Sequence, residues 1–333
     1  MDGIKQGLRM NTTRRITLSA LAVLLGMSAP GTQVAAQPFP NRPVSFVTPF
    51  PAGGGADVLC RLVADKLRSG LGQPFVVENR SGGGGNIGTE AVAKAAPDGY
   101  TLLCAPDPIF TSHLLYSKLS FDPRAFEPVS VFGIFLMGLV GRSDLPAGNV
   151  SELIAYARAH PGKLTYGSQG IGQYGHLMME ALKLRANVDL VHVPYRGAVL
   201  ALNDVMAGRV DVMASTLAST VAQINARKVK LLAPTGSRRV AAFPDVPALP
   251  EVLPGLEADS WMAIAAPAGT PKDVTVKLSA AIATAMQSPD LKTRFAELQS
   301  ETLGSTPEQM RAMVRSATDQ WQRVIAAAKI QID

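Results

Sequence analysis

The chain has 333 residues, 47% hydrophobic and 17% charged, an ordinary globular composition long enough for two domains. Its formal charge is +6, of which residues 1–36 hold +3, leaving +3 with no basic run beyond them. A nucleic-acid footprint is therefore excluded, and no segment after residue 36 reads as a transmembrane run.

Taken in chain order, Arg14-Arg15, the apolar stretch 16–27 and Val34-Ala35-Ala36 read as a secretory signal peptide cleaved near Ala36-Gln37. The pair Arg14-Arg15 leaves a twin-arginine route open beside the general one. The mature protein is expected to be exported and soluble, most simply periplasmic. Strand-like runs follow at 44–48, 75–78, 101–104, 129–140 (long enough for two), 163–166, 190–193, 210–213 and 229–233. Helical patterns alternate with them at 56–71, 87–96, 150–159, 174–183, 198–207 and 217–227. Short connections between alternating elements predict an α/β architecture with parallel sheets. Residues 243–254 are proline-rich and read as a connection.

The last quarter begins with a strand at 259–266 carrying Trp261 and then turns helical. Thr270-Pro271, Ser288-Pro289 and Thr306-Pro307 each place a cap before a proline at the first helical position. The final helix spaces Met310, Met313, Val314, Ala317, Trp321, Val324 and Ile325 along one apolar face. That face is expected to return to the first domain, with Trp321 near the strand at 44–48.

Two uncharged glycine-rich loops stand where strands hand over to helices. One runs from Pro49 through Gly53-Gly54-Gly55 to Asp57, the other from Gly167 to Gly175. Loops without bulky side chains bring backbone N–H groups close to a ligand, and a helix starting there adds the positive end of its dipole. Two such loops predict two half-sites closing on one small anion.

Other chemistry fails on inspection. Gly83, Gly85 and Gly88 fit a dinucleotide fingerprint only because four glycines run together, with Arg80-Ser81 intervening. No Gly-Lys-Ser/Thr follows either loop, and Tyr166 stands where a nucleophile elbow needs glycine. The four histidines and two cysteines show no metal spacing, so no metal and no cofactor are expected. His176 reads as a hydrogen-bonded structural histidine rather than a catalytic one. Cys60 and Cys104 could pair or remain buried thiols.

The chain resembles the solute receptors of the tripartite tricarboxylate transporter family, also called Bug receptors. The resemblance rests on residues 47–54 with Asp57, residues 77–88, Pro97-Asp98-Gly99-Tyr100, His192-Val193-Pro194-Tyr195-Arg196-Gly197, Gly208 to Met213, Pro244-Asp245-Val246-Pro247, and Trp261 with residues 265–271. It covers essentially the whole mature chain in order.

The resemblance implies a two-lobed periplasmic binding protein fold, type II-like, with the ligand cleft between lobes. Lobe one would take 39–140 plus 259–333 and lobe two 141–258, with the strand at 259–266 crossing between them. It implies a non-enzymatic receptor, expected as a monomer, for a small carboxylate gripped by backbone amides and waters. The partner would be a membrane transporter or, as an alternative, a sensor protein; an exported α/β enzyme using Ser168, His176 or Asp107 is the remaining reading. Carried onto this chain, Ala52, Gly53 and Gly54 are the amide donors and Phe50 an apolar wall. Asp57 supports the loop by pairing with Arg80, and Asn86 caps the helix after the glycine run. Ser168, Gln169, Gly170, Gln173 and Tyr174 form the facing loop, with Tyr195 at the next strand end. Asp107, Ser215 and Gln173-Tyr174 depart from the usual pattern, and Asp107 could face a ligand amine or repel a second carboxylate.

Overall fold

A computed structural model describes residues 39–332; the signal-peptide reading lies outside these. The chain opens with β1 (Val44–Thr48), α1 (Gly55–Leu71), β2 (Phe75–Asn79), α2 (Asn86–Ala93) and β3 (Thr101–Pro106). Val44, Phe46 and Val47 of β1 are all fully buried. Such a near-continuous apolar run marks a parallel strand covered on both faces.

Residues 107–125 form three short 3-10 turns before β4 (Glu127–Phe135) and β5 (Met137–Arg142). The long strand expected at 129–140 is thus two, broken at Leu136, and they belong to different sheets. The second half continues with α3 (Val150–Ala159), β6 (Thr165–Ser168), α4 (Tyr174–Ala186), β7 (Val191–Pro194), α5 (Ala198–Met206), β8 (Val212–Thr216), α6 (Leu217–Asn225) and β9 (Val229–Pro234). After a short α7 (Leu249–Val252) come β10 (Ser260–Ala266), α8 (Lys272–Met286), α9 (Pro289–Glu297), β11 (Ser300–Thr302) and α10 (Pro307–Ala328).

The first sheet has the order β11-β4-β10-β3-β1-β2 and the second β7-β6-β8-β5-β9. Helices cover both faces of each. In the first, α1 and α8 pack on one side and α2 and α10 reach the other. In the second, α5 and α6 lie across from α3 and α4. β10 lies wholly in the first sheet rather than crossing between lobes, so the return crossing precedes it. There the Thr235 N–H donates to the Met137 carbonyl and the Ala258 N–H to the Thr235 carbonyl.

The last helix corrects one expectation. At 22 residues, α10 spans about 33 Å at 1.5 Å per residue. Met310, Met313 and Val314 pack on the first sheet's core. Trp321, Val324 and Ile325 enter the second sheet's core instead, with Trp321 edge-to-face on Tyr174 at 6.4 Å between centroids. The apolar periodicity marks a buried face but does not name its partner, and this helix is long enough to have two.

The caps divide similarly. Thr306 makes the expected reciprocal box with Gln309, at 3.2 and 2.8 Å. The hydroxyls of Thr270 and Ser288 turn back to the carbonyls of Pro267 and Ala285 and cap nothing. Cys60 and Cys104 form a disulfide joining α1 to β3. Among the described residues no helix is long and apolar enough to cross a membrane.

Candidate functional site

Strand order locates the site before any side chain is considered. β1 pairs in parallel with β2 on one side and β3 on the other. β6 does the same with β7 and β8. Each is therefore a point where the strand order reverses, and in open α/β sheets ligands bind outside the carboxyl ends of strands at such points. The loops leaving β1 and β6 are the two glycine-rich segments.

The break at Leu136 sets these edges beside each other. Phe135 ends β4 next to Ser260, while Met137 opens β5 opposite Thr216, the last residue of β8. A Cβ placed on Gly55, the first residue of α1, would lie 3.9 Å from Phe135 Cε1. From the other sheet, the Leu217 N–H at the start of α6 donates to the Leu136 carbonyl at 2.7 Å. Half-buried Phe135 thus stands between two helix N-termini. Sequence reasoning missed it because it lies inside what reads as one strand.

The first loop is stapled from beneath by Asp57. Its carboxylate accepts from the Gly53 N–H (2.9 Å), Asn79 Nδ2 (2.9 Å) and Arg61 Nε (3.0 Å). Asn79 Nδ2 also donates to the Phe50 carbonyl at 3.1 Å. Burial pushes the Asp57 carboxyl up, but the hydrogen bonds from Arg61, Gly53 and Asn79 outweigh it and hold it below its ordinary value. Asp57 supports the loop as expected, but through Arg61 and not Arg80. Arg80 pairs instead with Glu78 at 2.8 Å, both side chains being exposed.

Gly53 sits at φ +79°, a left-handed conformation that suits glycine, and its N–H points inward to Asp57. It shapes the loop without offering a donor to a ligand, which corrects its expected role. The N–H groups of Ala52, Gly54, Gly55 and Ala56 have no acceptor among the described residues. Residues 51–55 are exposed. The start of α1 thus leaves helix-start donors exposed, the kind of arrangement that suits an anion.

The glycine run 82–85 plays a packing part. All four have positive φ, and a Cβ on Gly85 would fall 2.6 Å from Ile109. Asn86 does not cap: α2 begins at Asn86 itself, and its Oδ1 is buried without a partner, as is Thr48 Oγ1 at the end of β1.

The second loop is more internally bonded. Ser168 Oγ is buried and lies 2.7 Å from His192 Nε2. His192 stacks on His176 at 4.0 Å between centroids. Burial and the neighbouring His176 lower His192 to about 4, and burial lowers His176, so both rings are neutral at neutral pH. His176 Nδ1 accepts from the Gly172 N–H at 3.0 Å, which fixes its tautomer and bears out a structural reading of that residue. The Gln169 side chain joins the Ala214 carbonyl (3.1 Å) to the Gly175 N–H (3.0 Å) and so braces the loop against β8. Ser215 hydrogen-bonds Ser219 at 3.1 Å. Half-buried Gln173 precedes α4 and has no side-chain partner among the described residues.

Three expected ligand contacts turn away from the loops. Buried Tyr174 sends its hydroxyl to the Ala258 carbonyl at 2.7 Å, where it ties α4 to the return crossing. Tyr195 donates to Asp204 at 2.7 Å. Asp107 is 3% exposed and accepts from Ser260 Oγ and the Trp261 N–H. Burial raises its carboxyl to about 7. Asp107 anchors β3 to β10 through these bonds.

Neither loop contains a lysine, arginine or histidine between 50 and 56 or between 167 and 175. An anion placed there meets helix-start amides and small side chains.

Comparisons with known proteins show what the chain is similar to. The profile described as "Tripartite tricarboxylate transporter family receptor" matches residues 59–330. Protein BugT of Bordetella pertussis is 33% identical, covering 95% of this chain and 98% of its own. The solved structure of Rpa4515 from R. palustris with adipate is 34% identical with a TM-score of 0.77, covering 88% of this chain and 99% of that one. MatC from Rhodopseudomonas palustris with bound malate is 31% identical with a TM-score of 0.73, over 86% and 100% of the two chains.

Proposed function

The chain belongs to the tripartite tricarboxylate transporter receptor family, and from that premise we propose that it is an exported periplasmic receptor that holds a small dicarboxylate between two lobes and hands it to a tripartite membrane transporter. The lobes are built on the two sheets, lobe one from residues 39–136 and 259–332 and lobe two from 137–258, the boundary moving from 140 to 136 because β5 belongs to the second sheet, with the end of α10 docked on the latter. One ligand carboxylate sits on the amides of Ala52, Gly54, Gly55 and Ala56, walled by Phe50 and Phe135. The other end of the ligand faces Gly170 and Gln173, both half-buried. Binding favours the closed arrangement, since only that form contacts the ligand from both sheets.

The observation that carries this reading is the pair of strand-order reversals whose loops both open helices and both lack cationic side chains. Adipate and malate in two relatives support the choice of a dicarboxylate. An enzymatic role for the Ser168–His192 pair is disfavoured: Ser168 is fully buried, and among the described residues no carboxylate orients His192.

A thermal-shift screen of the purified protein against adipate, malate, mono- and tricarboxylates, amino acids and pyridine carboxylates tests it. Ligand at a hundredfold excess over Kd adds about 2.7 kcal/mol to stability. A dicarboxylate should raise the melting temperature by about 5 °C or more. A panel in which no carboxylate shifts the transition, or only uncharged solutes do, would overturn the proposal.

A further inference from the structure

Outside the loops already described, an apolar cavity lies between the first half of α10 and the turns that follow β3. Its volume is about 340 Å³, within the roughly 300–1,000 Å³ of small-molecule sites. Phe110, Phe126, Pro128, Met310 and Val314 form its apolar wall. Arg124, Arg311 and Arg315 stand around its mouth, with Asp319 the one acid lining it. None of these residues belongs to the two glycine-rich loops.

The three arginines are not equivalent. Arg124 is held in a two-pronged pair with Asp122, at 2.9 and 3.0 Å. Arg311 lies 3.9 Å from Glu127, at the outer limit of an ion pair. Arg315 has no ion-pair partner among the described residues, and Asp319 one turn further on does not reach it. The cavity therefore combines an apolar body with an unpaired guanidinium lining it.

We propose that this cavity is a second ligand site, separate from the dicarboxylate cleft, that takes an amphipathic monocarboxylate with an aliphatic or aryl body. The body lies against Phe110, Met310 and Val314. The carboxylate meets Arg315 and Arg311, where a charge-assisted pair is stronger than a neutral contact. A short dicarboxylate, polar at both ends, would have to bury one charge against the apolar wall and is rejected.

Isothermal titration with octanoate tests this, with acetate, octan-1-ol and benzoate as further arms. Octanoate should bind with one-to-one stoichiometry, and acetate and octan-1-ol at least about tenfold more weakly, since each lacks one half of the match. Benzoate binding as tightly as octanoate would support the proposal and show that a compact aryl body fills the cavity as well as an acyl chain does. Val314→Trp, which fills the cavity, should weaken octanoate by about tenfold or more, and exposed Arg315→Ala by several-fold at low salt. Gly54→Val, in the other site, should leave octanoate binding unchanged. Melting curves check that each variant is folded, and if Val314→Trp is not, Arg315→Glu decides. Octanoate that fails to bind, binds equally to the Arg315 variants, or is lost with Gly54→Val would overturn the proposal.

Discussion

Replacing Asp57 with alanine separates two opposed effects at the first loop. The carboxylate holds Gly53 and Asn79 and through them the Phe50–Gly53 backbone. It is also a negative charge beside a proposed anion site, so removing it could strengthen binding. Magnitudes favour the staple. Each hydrogen bond to a charged group is worth about 1.5–3 kcal/mol. The Arg61 pair, with the arginine side chain 47% exposed, contributes only about 0–1 kcal/mol. Yet Arg61 sits 2.9 Å from the carboxylate, so the pair is nearly neutral seen from the ligand. Losing the Gly53 and Asn79 bonds should cost about 2–4 kcal/mol of stability after partial rescue by water. A loop free to leave its place should raise the Kd for a dicarboxylate by roughly ten- to a hundredfold. Isothermal titration at fixed ionic strength reads this directly. Asn79→Ala, which removes the bonds to Asp57 and the Phe50 carbonyl without changing charge, should move affinity in the same direction by less. A folded Asp57→Ala protein that binds as tightly as the parent, or more tightly, would refute the reasoning.

Asp107 offers a pH test with a defined sign. Its folded pKa is raised to about 7, so between pH 4 and 7 the folded state holds a proton that the unfolded state has released, and stability should fall across that window as pH rises. Asp107→Asn keeps an acceptor for Ser260 and Trp261 and should melt higher than the parent at pH 8; an unchanged or lower melting point would contradict the buried-acid account. The Cys60–Cys104 bridge spans 44 residues, which in the chain-entropy model stabilises by up to about 4 kcal/mol. Replacing both cysteines with serine should lower the denaturant midpoint and steepen the slope, since the unbridged unfolded chain exposes more surface, and an unchanged midpoint would count against a formed bridge. Trp321→Ala should cost about 3–5 kcal/mol and speed hydrogen exchange in α4 while leaving β1 protected; the opposite pattern would place Trp321 on the first sheet.

Much of this architecture is legible in the residues. Parallel strands buried on both faces, such as β1 and β3, stand out as apolar runs between helical patterns. Loops that need positive φ stand out as glycine. What stays hidden is relational. Nothing in residues 129–140 marks Leu136 as the place where the chain changes sheets, because both strands are equally apolar. Periodicity showed that α10 buries a face but not that Met310 and Trp321 serve different cores. The glycine-rich loops of the proposed site stand out in the sequence, while the partners of their atoms do not. A glycine N–H looks available until Asp57 is seen to occupy it, and Tyr174 looks like a cleft residue until its hydroxyl is traced to Ala258. The pairing of Asp57 with Arg61, one helical turn away, could have been read from i, i+4 spacing. The contact between Ser168 and His192 could not, since it depends on the register of β6 with β7.

The central claim is that helix-start amides, not a cationic side chain, hold the ligand. Amide chemical shifts of the isotope-labelled protein at saturating dicarboxylate test it most directly. The account predicts large downfield proton shifts at Gly54, Gly55 and Ala56 and smaller ones at Gly53, whose N–H already has Asp57 as acceptor. It would be contradicted if those amides stayed in place while an arginine guanidinium, such as that of Arg80 or Arg196, carried the shift.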